Sequence, residues 1–393
     1  MSLRQLFLEN VAQTTDFPLA IEIEKAEGIY LYGSKGEKYI DLIAGIGVSN
    51  VGHRHPKVVQ AIKDQVDKYL HLMVYGEYIQ SPQVLLAKKL SDLLPENLNT
   101  VYFVNSGAEA TEGALKLAKR YTGRSEIIAC HNSYHGSTHG ALSVMGNENF
   151  KQAYRPLLPD IQFITYGSWS DLERITDKTA AIIIETIQGE AGVNIACNGY
   201  FNQLRERCNE TGTLLILDEI QTGFGRTGKM FGFEHFEIVP DIVLFAKGIG
   251  GGMPLGAFVS SSEIMKVFRN NPILGHITTF GGHPVNCAAA LATLNVIIDE
   301  NLTKGVESKA ARFRKILIHP KIKAVRNIGL LFAIEFENFD ILKPIIDRAL
   351  AKGVITDWFL HCNNAMRIAP PLIITEDEIR NACKIIMECI ENV

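Results

Sequence analysis

The chain has 393 residues, of which 47% are hydrophobic and 21% are charged, and its formal net charge is −4. This length and apolar content predict a two-domain globular protein with a large core, and they exclude disorder as a description of the whole chain. The weak negative charge gives no reason to expect nucleic-acid binding, and no apolar run approaches the roughly 18 residues that a membrane helix needs.

The first hundred residues combine short strands with helices. Residues 28–32 and 38–42 are rich in Tyr, Leu and Ile and flank a Gly-Ser-Lys-Gly turn, which predicts a hairpin. A helical pattern begins at Pro56, a residue suited to the first helical position, and a second helix is expected over residues 81–94.

Residues 100–260 repeat a strand–loop–helix pattern. Helical stretches such as 109–121 and 201–210 separate several of the seven strand-like apolar runs, which lie at residues 101–104, 126–130, 161–164, 181–184, 214–217, 242–245 and 257–260. Near-continuous apolar strands that alternate with helices predict a mostly parallel sheet with helices on both faces.

The pattern changes after residue 284. Helices are expected at 284–299 and 301–317, followed by an antiparallel pair, 322–327 and 330–336, that turns at Gly329. The last helix opens at Thr375 with a capping box. We therefore predict an N-terminal segment (1–50) that joins a small α+β domain (285–393), and a large domain between them (51–284).

Lys247 follows the apolar run 242–245 and precedes the glycine-rich stretch 248–252. Desolvating an ammonium group is costly, so a lysine at a buried strand end needs a reason. The simple alternative is a surface lysine that caps the strand. The glycines leave little to shield the lysine and allow a flat cofactor to approach, which favours a lysine that holds pyridoxal 5′-phosphate (PLP) as a Schiff base.

Asp218 ends the aliphatic run 214–217, where an unpaired carboxylate would be unfavourable. The pyridinium nitrogen of PLP would be a suitable partner, and the contact would keep the ring able to accept electrons. A buried salt bridge to an arginine is the alternative. A magnesium-binding Walker B aspartate would require a P-loop, and the chain has no G-x-x-x-x-G-K-[ST] sequence.

Two further stretches suit a cofactor site. Ser106, Gly107 and Ala108 lie between a predicted strand and a predicted helix, where free backbone amides can bind a phosphate group; an ordinary helix capped by Ser106 and Glu109 explains the same residues. Tyr134 follows another strand and could stack on a pyridine ring, although a half-buried loop tyrosine fits equally well.

The seven cysteines are scattered and include no C-x-x-C pair, so neither a zinc site nor a disulfide framework is expected. Such cysteines favour a reducing cytoplasm. The first ten residues lack a basic region followed by an apolar stretch, so a signal peptide is not expected.

Six stretches together closely resemble the class III (fold type I) PLP-dependent aminotransferases, the group that contains the acetylornithine, ornithine and 4-aminobutyrate aminotransferases. They occur in family order and cover most of the chain, at residues 105–110 (NSGAEA), 187–190 (IQGE), 218–228 (DEIQTGFGRTG), 246–248 (AKG), 279–282 (TFGG) and 366–371 (MRIAPP). The resemblance implies fold type I, with a mostly parallel central sheet flanked by helices and a smaller α+β domain. It also implies a homodimer with shared active sites.

The resemblance implies roles for the matched residues. Lys247 would form an aldimine with PLP and move the proton between substrate and cofactor, while Asp218 would bind the pyridine nitrogen. Arg367 would bind a substrate α-carboxylate, and Glu190 would pair with Arg367 when the substrate lacks that carboxylate. The remaining cofactor contacts would come from Ser106, Gly107, Ala108, Tyr134, Ile220, Gln221 and, in the neighbouring subunit, Thr279.

Ser137 departs from the pattern of acetylornithine and ornithine aminotransferases, which have an arginine here that binds a substrate carboxylate. A serine hydroxyl cannot replace the two charge-assisted hydrogen bonds of an arginine fork. Ser137 therefore argues against acetylornithine and ornithine as amino donors and weakens the case for 2-oxoglutarate as acceptor. Glu77 aligns with a substrate-channel loop, where it would attract a distal ammonium group or remain a solvated carboxylate.

We therefore predict a cytoplasmic PLP-dependent ω-aminotransferase. It would move an amino group from a primary, terminal amine of an amino acid or diamine to a 2-keto acid by ping-pong transfer. The substrate stays open between acetylornithine- or ornithine-like and 4-aminobutyrate-like compounds. Aminomutases, racemases and decarboxylases of this fold use the same residues and remain alternatives, as does a non-catalytic amine-binding homologue, against which the intact Lys247 and Asp218 argue.

Overall fold

A computed structural model describes all residues from Met1 to Val393. The strands are β1 (Ile23–Glu27), β2 (Tyr30–Gly33), β3 (Lys38–Asp41), β4 (Thr100–Val104), β5 (Glu126–Cys130), β6 (Ile161–Ile164), β7 (Thr179–Glu185), β8 (Leu214–Asp218), β9 (Ile242–Phe245), β10 (Gly256–Ser260), β11 (Ala324–Ile328), β12 (Leu331–Glu335), β13 (Val354–Ile355), β14 (Asp357–Phe359) and β15 (Cys362–Ile368). The α-helices are α1 (Leu3–Asn10), α2 (Ala44–Gly47), α3 (Pro56–Val66), α4 (Ser81–Leu93), α5 (Gly107–Thr122), α6 (His139–Ser143), α7 (Tyr200–Thr211), α8 (Ser262–Met265), α9 (Pro284–Asp299), α10 (Val306–Ile316), α11 (Phe339–Ala351) and α12 (Glu376–Glu391). None of these helices has the length and apolar character needed to cross a membrane.

The main sheet contains seven strands in the order β4-β10-β9-β8-β7-β5-β6. The pairs β5·β6, β5·β7, β7·β8 and β8·β9 are parallel, whereas β10 runs antiparallel to both of its neighbours, β4 and β9. All seven strands of this sheet were expected from their apolar runs. The predicted mostly parallel sheet flanked by helices is confirmed.

Both faces of the main sheet are covered. Along β8, Leu215 and Leu217 pack into one buried cluster, and Leu214 and Ile216 pack into another on the opposite face. Successive side chains of a strand point to opposite faces, so a strand buried on both sides has no polar alternation. This burial explains why the strands of the large sheet were visible in the sequence.

Two four-stranded sheets lie outside the main sheet, in the orders β1-β2-β3-β13 and β11-β12-β15-β14. The N-terminal strand β3 pairs in parallel with β13, so the first part of the chain joins the last part, and Ile29, Ile40 and Leu42 pack into the apolar cluster of the C-terminal helices. The domain boundaries themselves stay a prediction.

The C-terminal elements differ in part from the expected ones. The hairpin of β11 and β12 and the Thr375 capping box are present. The single helix expected at 301–317 is instead a 3₁₀ turn, Leu302–Gly305, followed by α10. Gly305 lies at the junction, and the low helix propensity of glycine favours an interruption there.

The sheet brings distant parts of the chain to one edge. In parallel strands the carboxyl ends lie side by side, and the loops that follow them form a crevice. The ends of β5, β7, β8 and β9 are such neighbours, and Asp218 at the end of β8 is in register with Glu185 at the end of β7.

Candidate active site

A cavity of about 740 Å³ lies at the carboxyl ends of these strands. Its lining includes most of the residues expected to bind the cofactor, together with Ser137. Those residues are Ser106, Gly107, Ala108, Tyr134, Ser137, Asp218, Ile220, Gln221 and Lys247.

Lys247 is delivered to the cavity by the end of β9. It begins a 3₁₀ turn, Lys247–Gly250, and its φ angle of 49° is in the left-handed region. Burial lowers the pKa of the Lys247 ammonium group, and Arg367 lowers it further, although Glu190 and Asp218 oppose the shift. The strained backbone and the lowered pKa are features of an amine that must react, because only the neutral amine is a nucleophile.

Asp218 ends β8 and is buried, with 4% of its surface exposed. Its Oδ2 lies 2.7 Å from Nδ1 of His135, and its Oδ1 accepts the backbone N–H of Ile220 at 2.9 Å. The side-chain partner of Asp218 is therefore His135 and not an arginine. Each carboxylate oxygen can accept two hydrogen bonds, so Asp218 keeps capacity for a further donor from the cavity.

His135 was not assigned a role from the sequence, where only the neighbouring Tyr134 was considered. The structure buries His135 completely beside Asp218. The sequence feature that could have identified His135 is its position in the loop after strand β5. The end of β5 lies on the same edge of the sheet as the end of β8, which carries Asp218. A histidine at Asp218 fixes the orientation of the carboxylate toward the cavity.

Glu185 is a second residue that the sequence interpretation missed. It ends the fully buried strand β7, lines the cavity and accepts the backbone N–H groups of Gly189 (3.2 Å) and Tyr134 (3.4 Å). Burial and the neighbouring charge of Asp218 raise the pKa of the Glu185 carboxyl well above its usual range. The position of Glu185 therefore favours the protonated form of its carboxyl group.

The N-terminus of α5 opens into the cavity. Ser106 caps this helix by accepting the N–H of Glu109 at 3.2 Å, whereas the Glu109 carboxylate accepts the N–H of Asn105 at 2.7 Å. The capping box is thus not reciprocal, and the first-turn amides remain available for an anion. A Cβ atom at Gly107 would lie 2.8 Å from Cδ1 of Ile220, so a larger residue here would require the end of the Ile220 side chain to move.

Tyr134 and Ser137 form one wall of the cavity. The Tyr134 hydroxyl lies 3.3 Å from Oγ of Ser137, so the serine already has a polar partner within its own loop. Gly136, between them, has a φ of 128°, and a Cβ there would lie 2.6 Å from Cβ of Ala108. This close approach holds the Tyr134 loop against the N-terminus of α5.

Glu190 and Arg367 form a buried, two-pronged ion pair. Nη1 and Nη2 of Arg367 each donate to one Glu190 oxygen at 2.9 Å, and Gln221 Nε2 donates to Glu190 Oε1 at 2.7 Å. Burial alone would raise the pKa of Glu190, but Arg367 holds it at about 2. Gln221, which lines the cavity, therefore links this ion pair to the cofactor region.

Thr279 and Glu77 do not join the cavity of their own chain. Both are exposed, and Oγ1 of Thr279 lies 3.5 Å from the hydroxyl of Tyr75. The cavity lining includes neither residue. Any role of Thr279 at an active site therefore requires a second subunit.

Comparisons with known proteins identify the family. The family described as "Aminotransferase class-III" matches residues 11–390. An acetylornithine aminotransferase of Methanopyrus kandleri is 39% identical over 92% of this chain and 92% of its own length. An acetylornithine aminotransferase of Methanocaldococcus jannaschii is 40% identical over 92% of this chain and 91% of its own length.

Solved structures agree with these relatives. The ornithine aminotransferase of Toxoplasma gondii, described with partial occupancy of PLP at its active site, superposes with a TM-score of 0.92 at 30% identity over 99% of this chain and 93% of that one. A transaminase of the marine bacterium Virgibacillus gives a TM-score of 0.92 at 29% identity over 100% and 99%. The chain belongs to the class-III aminotransferases and is a transaminase.

Proposed function

We propose that this transaminase uses PLP, bound in the cavity at the ends of β4, β5, β8 and β9. The observation that carries the proposal is the presence in one cavity of Lys247, with its lowered pKa, and Asp218, with unused acceptor capacity. The residues also fit the rest of the cofactor. The amides at the N-terminus of α5 suit its phosphate group, and Tyr134 and Ile220 offer surfaces to its ring.

Bound there, PLP supplies an aldehyde that condenses with primary amines and a ring that accepts the electron pair of a substrate carbanion. Lys247 Nζ would anchor the aldehyde carbon and then carry a proton away from the substrate carbon. Asp218 would hold the proton on the pyridine nitrogen through a charge-assisted hydrogen bond, and His135 would keep the carboxylate aligned. Gln221 would contact the phenolic oxygen while retaining Glu190 as its acceptor.

The Glu190–Arg367 pair supports two kinds of substrate at one site. A keto acid or α-amino acid presents a carboxylate that can replace Glu190 in the Arg367 fork, since both are carboxylates that accept two parallel bonds. An amine without an α-carboxylate would leave the pair closed, so that Arg367 is not left as an unpaired buried charge. This exchange lets both halves of a ping-pong reaction use the same cavity.

The amino donor that we propose is a terminal primary amine on an ornithine-like or 4-aminobutyrate-like chain. The relatives named acetylornithine aminotransferases support a donor of this length and type. Ser137, which pairs with Tyr134, supports weak binding of the donor's far carboxylate by this subunit. We therefore expect putrescine, which has no carboxylate, to react faster than acetylornithine.

A homodimer completes the proposal. Exposed apolar side chains surround Thr279 and the segment that contains Glu77, and the most exposed are Ile79 (95%) and Ile273 (74%). Burial of such a surface against a second copy would place Thr279 at the partner's cofactor phosphate. The seven cysteines are all free thiols, which supports a reducing, cytoplasmic location.

The test is a half-reaction screen on the purified, PLP-loaded protein without keto acid. Single amines (acetylornithine, ornithine, lysine, 4-aminobutyrate, β-alanine and putrescine) are added while the visible band of the cofactor is followed. Loss of the band with one amine, together with release of the matching carbonyl product, supports transfer of the amino group. Retention of the amine in every product contradicts it. Borohydride reduction followed by peptide mass spectrometry reports separately whether the cofactor is attached at Lys247.

A further inference from the structure

Arg367 contacts a second carboxylate that has no part in the exchange described above. Its Nε lies 3.1 Å from Oδ1 of Asp357, while both terminal nitrogens bind Glu190. Neither Nε nor Oδ1 has another partner, and the two atoms are close without the alignment of a good hydrogen bond. The guanidinium also donates to the carbonyl of Trp358 at 3.2 Å and lies over the ring of Phe359 at 4.6 Å.

Asp357 and Glu190 are attached to Arg367 in different ways. Asp357 is the direct cross-strand partner of Arg367, because β14 and β15 are antiparallel neighbours in which these two residues are in register. Side chains opposed in this manner stay together as long as the hairpin is intact. Glu190 comes instead from the loop after β7, at the end of the main sheet, and its carboxylate would leave the fork by rotation of the side chain, which would also break its hydrogen bond from the Leu360 N–H at 3.0 Å.

The balance of charges around Arg367 indicates a role for the second carboxylate, Asp357. One guanidinium faces two carboxylates in a mostly buried place, and burial, opposed by Arg367, raises the pKa of Asp357 to about 6. Because burial disfavours the ionised form of Asp357, its position beside Arg367 calls for a functional reason. Without Asp357, departure of Glu190 would leave the buried guanidinium with a single backbone acceptor and an aromatic ring.

We propose that Asp357 is the positioning residue that holds the Arg367 guanidinium by its Nε edge when Glu190 withdraws, so that the opposite edge stays aimed at a substrate carboxylate. The inference rests on the proposed exchange of Glu190 for a substrate carboxylate. Asp357 faces Nε, the one guanidinium nitrogen of Arg367 that neither Glu190 nor an incoming carboxylate uses. The half-reaction with a 2-keto acid therefore depends on Asp357, and the half-reaction with an amine that lacks an α-carboxylate does not.

The experiment compares Asp357→Ala and Asp357→Asn in the cofactor-loaded protein. The binding probe is oxamate, an isostere of pyruvate that cannot accept an amino group, and its affinity is measured by calorimetry on protein that carries the amino form of the cofactor. We expect the alanine variant to bind oxamate about tenfold more weakly, a size typical of a misplaced binding group. The asparagine variant keeps an oxygen for Nε and should stay within about threefold of the wild type.

Two half-reactions separate positioning from a general structural role. Stopped-flow rates with pyruvate should show a raised apparent dissociation constant in Asp357→Ala, while rates with putrescine stay unchanged. Asp241→Ala is the matched control, because Asp241 is a similarly part-buried carboxylate, paired at 2.7 Å with Arg205, at the opposite edge of the main sheet. This control should leave oxamate affinity unchanged.

Other outcomes would overturn the inference. Wild-type or tighter oxamate binding in both Asp357 variants would mean that Asp357 only competes for the positive charge. An equal loss with pyruvate and putrescine would mean a structural role. If the alanine variant does not fold, a tenfold loss or a tighter affinity in the asparagine variant contradicts the proposal by itself. Failure of every amine in the wild type would remove the proposed function, and the oxamate comparison would still decide the role of Asp357.

Discussion

Glu185 ends β7 and Glu190 lies in the loop that follows, and both are buried, with 6% and 5% of their surfaces exposed. Their pKa values are nevertheless shifted in opposite directions. Burial and the neighbouring Asp218 raise the pKa of Glu185 well above its usual range, whereas Arg367 overcomes burial and holds the pKa of Glu190 at about 2. The immediate partner, and not the depth of burial, decides which acid keeps its proton.

This contrast extends to two groups of residues, which we call the cofactor end and the carboxylate end. The cofactor end, formed by Lys247, Asp218, His135 and Glu185 at the cavity where we propose that PLP binds, is built from neighbouring strands of one sheet. The carboxylate end, formed by Glu190, Arg367 and Asp357, lies beyond the lining of the cavity, is linked to it by Gln221, and joins the main sheet to the hairpin of β14 and β15. A fixed set of groups suits a resident cofactor, and an exchangeable ion pair suits substrates that alternate.

Removal of Lys247 tests the cofactor end most severely. Lys247→Ala should reduce transamination by about 10⁴-fold, because the variant loses the group that moves the proton. Turnover is measured as formation of the amino acid from the keto acid. The exposed Lys229→Ala provides the control for loss of a lysine and should retain full activity. Normal turnover in the Lys247 variant would end the assignment of the cofactor end.

Replacement of Asp218 should have the second-largest effect. Asp218→Ala removes a charge-assisted hydrogen bond worth roughly 1.5–3 kcal/mol, which corresponds to a rate loss of about 10- to 200-fold in the half-reaction. Asp218→Asn keeps an acceptor for the Ile220 amide and isolates the effect of charge. Stopped-flow measurements at saturating PLP separate slow chemistry from weak cofactor binding. Unchanged rates would refute a role of Asp218 on the pyridine nitrogen.

The cofactor end was largely predictable from the sequence, for a physical reason. Lys247 and Asp218 each interrupt a buried apolar strand, where a charged group is costly and so is conspicuous. The same argument applies to Glu185, but the strand was expected to end at residue 184 and its last residue was not considered. His135 required knowledge of which strand ends are neighbours, and that order is set by tertiary packing and not by local pattern.

The carboxylate end was less predictable. The family resemblance supplied Glu190 and Arg367, but Asp357 lies in β14, a strand of three residues with an irregular register next to Phe359. So short a strand has no periodicity from which to predict it. Thr279 and Glu77 show a further limit, because both are exposed loop residues outside the cavity of their own chain and their roles stay predictions.

An added arginine would show whether the cavity can acquire a second carboxylate site. Ser137→Arg should raise kcat/KM for acetylornithine by about tenfold, since a fork of two charge-assisted bonds would contribute about 1.4 kcal/mol or more. Putrescine, which has no carboxylate, should gain nothing. Ser137→Lys controls for charge without the planar fork. An equal gain with both substrates would mean that the substitution acts by reshaping the Tyr134 loop.

The smallest expected effect is that of Glu185→Gln, which tests the difference in pKa between Glu185 and Glu190. Because burial and Asp218 raise the pKa of Glu185 and so favour its neutral form, transamination at pH 7 should stay within about threefold of the wild type. In the folded wild-type protein the Glu185 carboxyl keeps its proton above the pH at which the same carboxyl in the unfolded chain releases it. The free energy of unfolding of the wild type should therefore fall by up to about 1.4 kcal/mol per pH unit from pH 5 upward, until Glu185 ionises in the folded protein. Glutamine has no such proton, and its stability advantage should therefore grow between pH 5 and 8 in thermal unfolding of the protein freed of PLP. A constant difference across this range would mean that folding does not raise the pKa of Glu185, and the contrast between Glu185 and Glu190 would be lost.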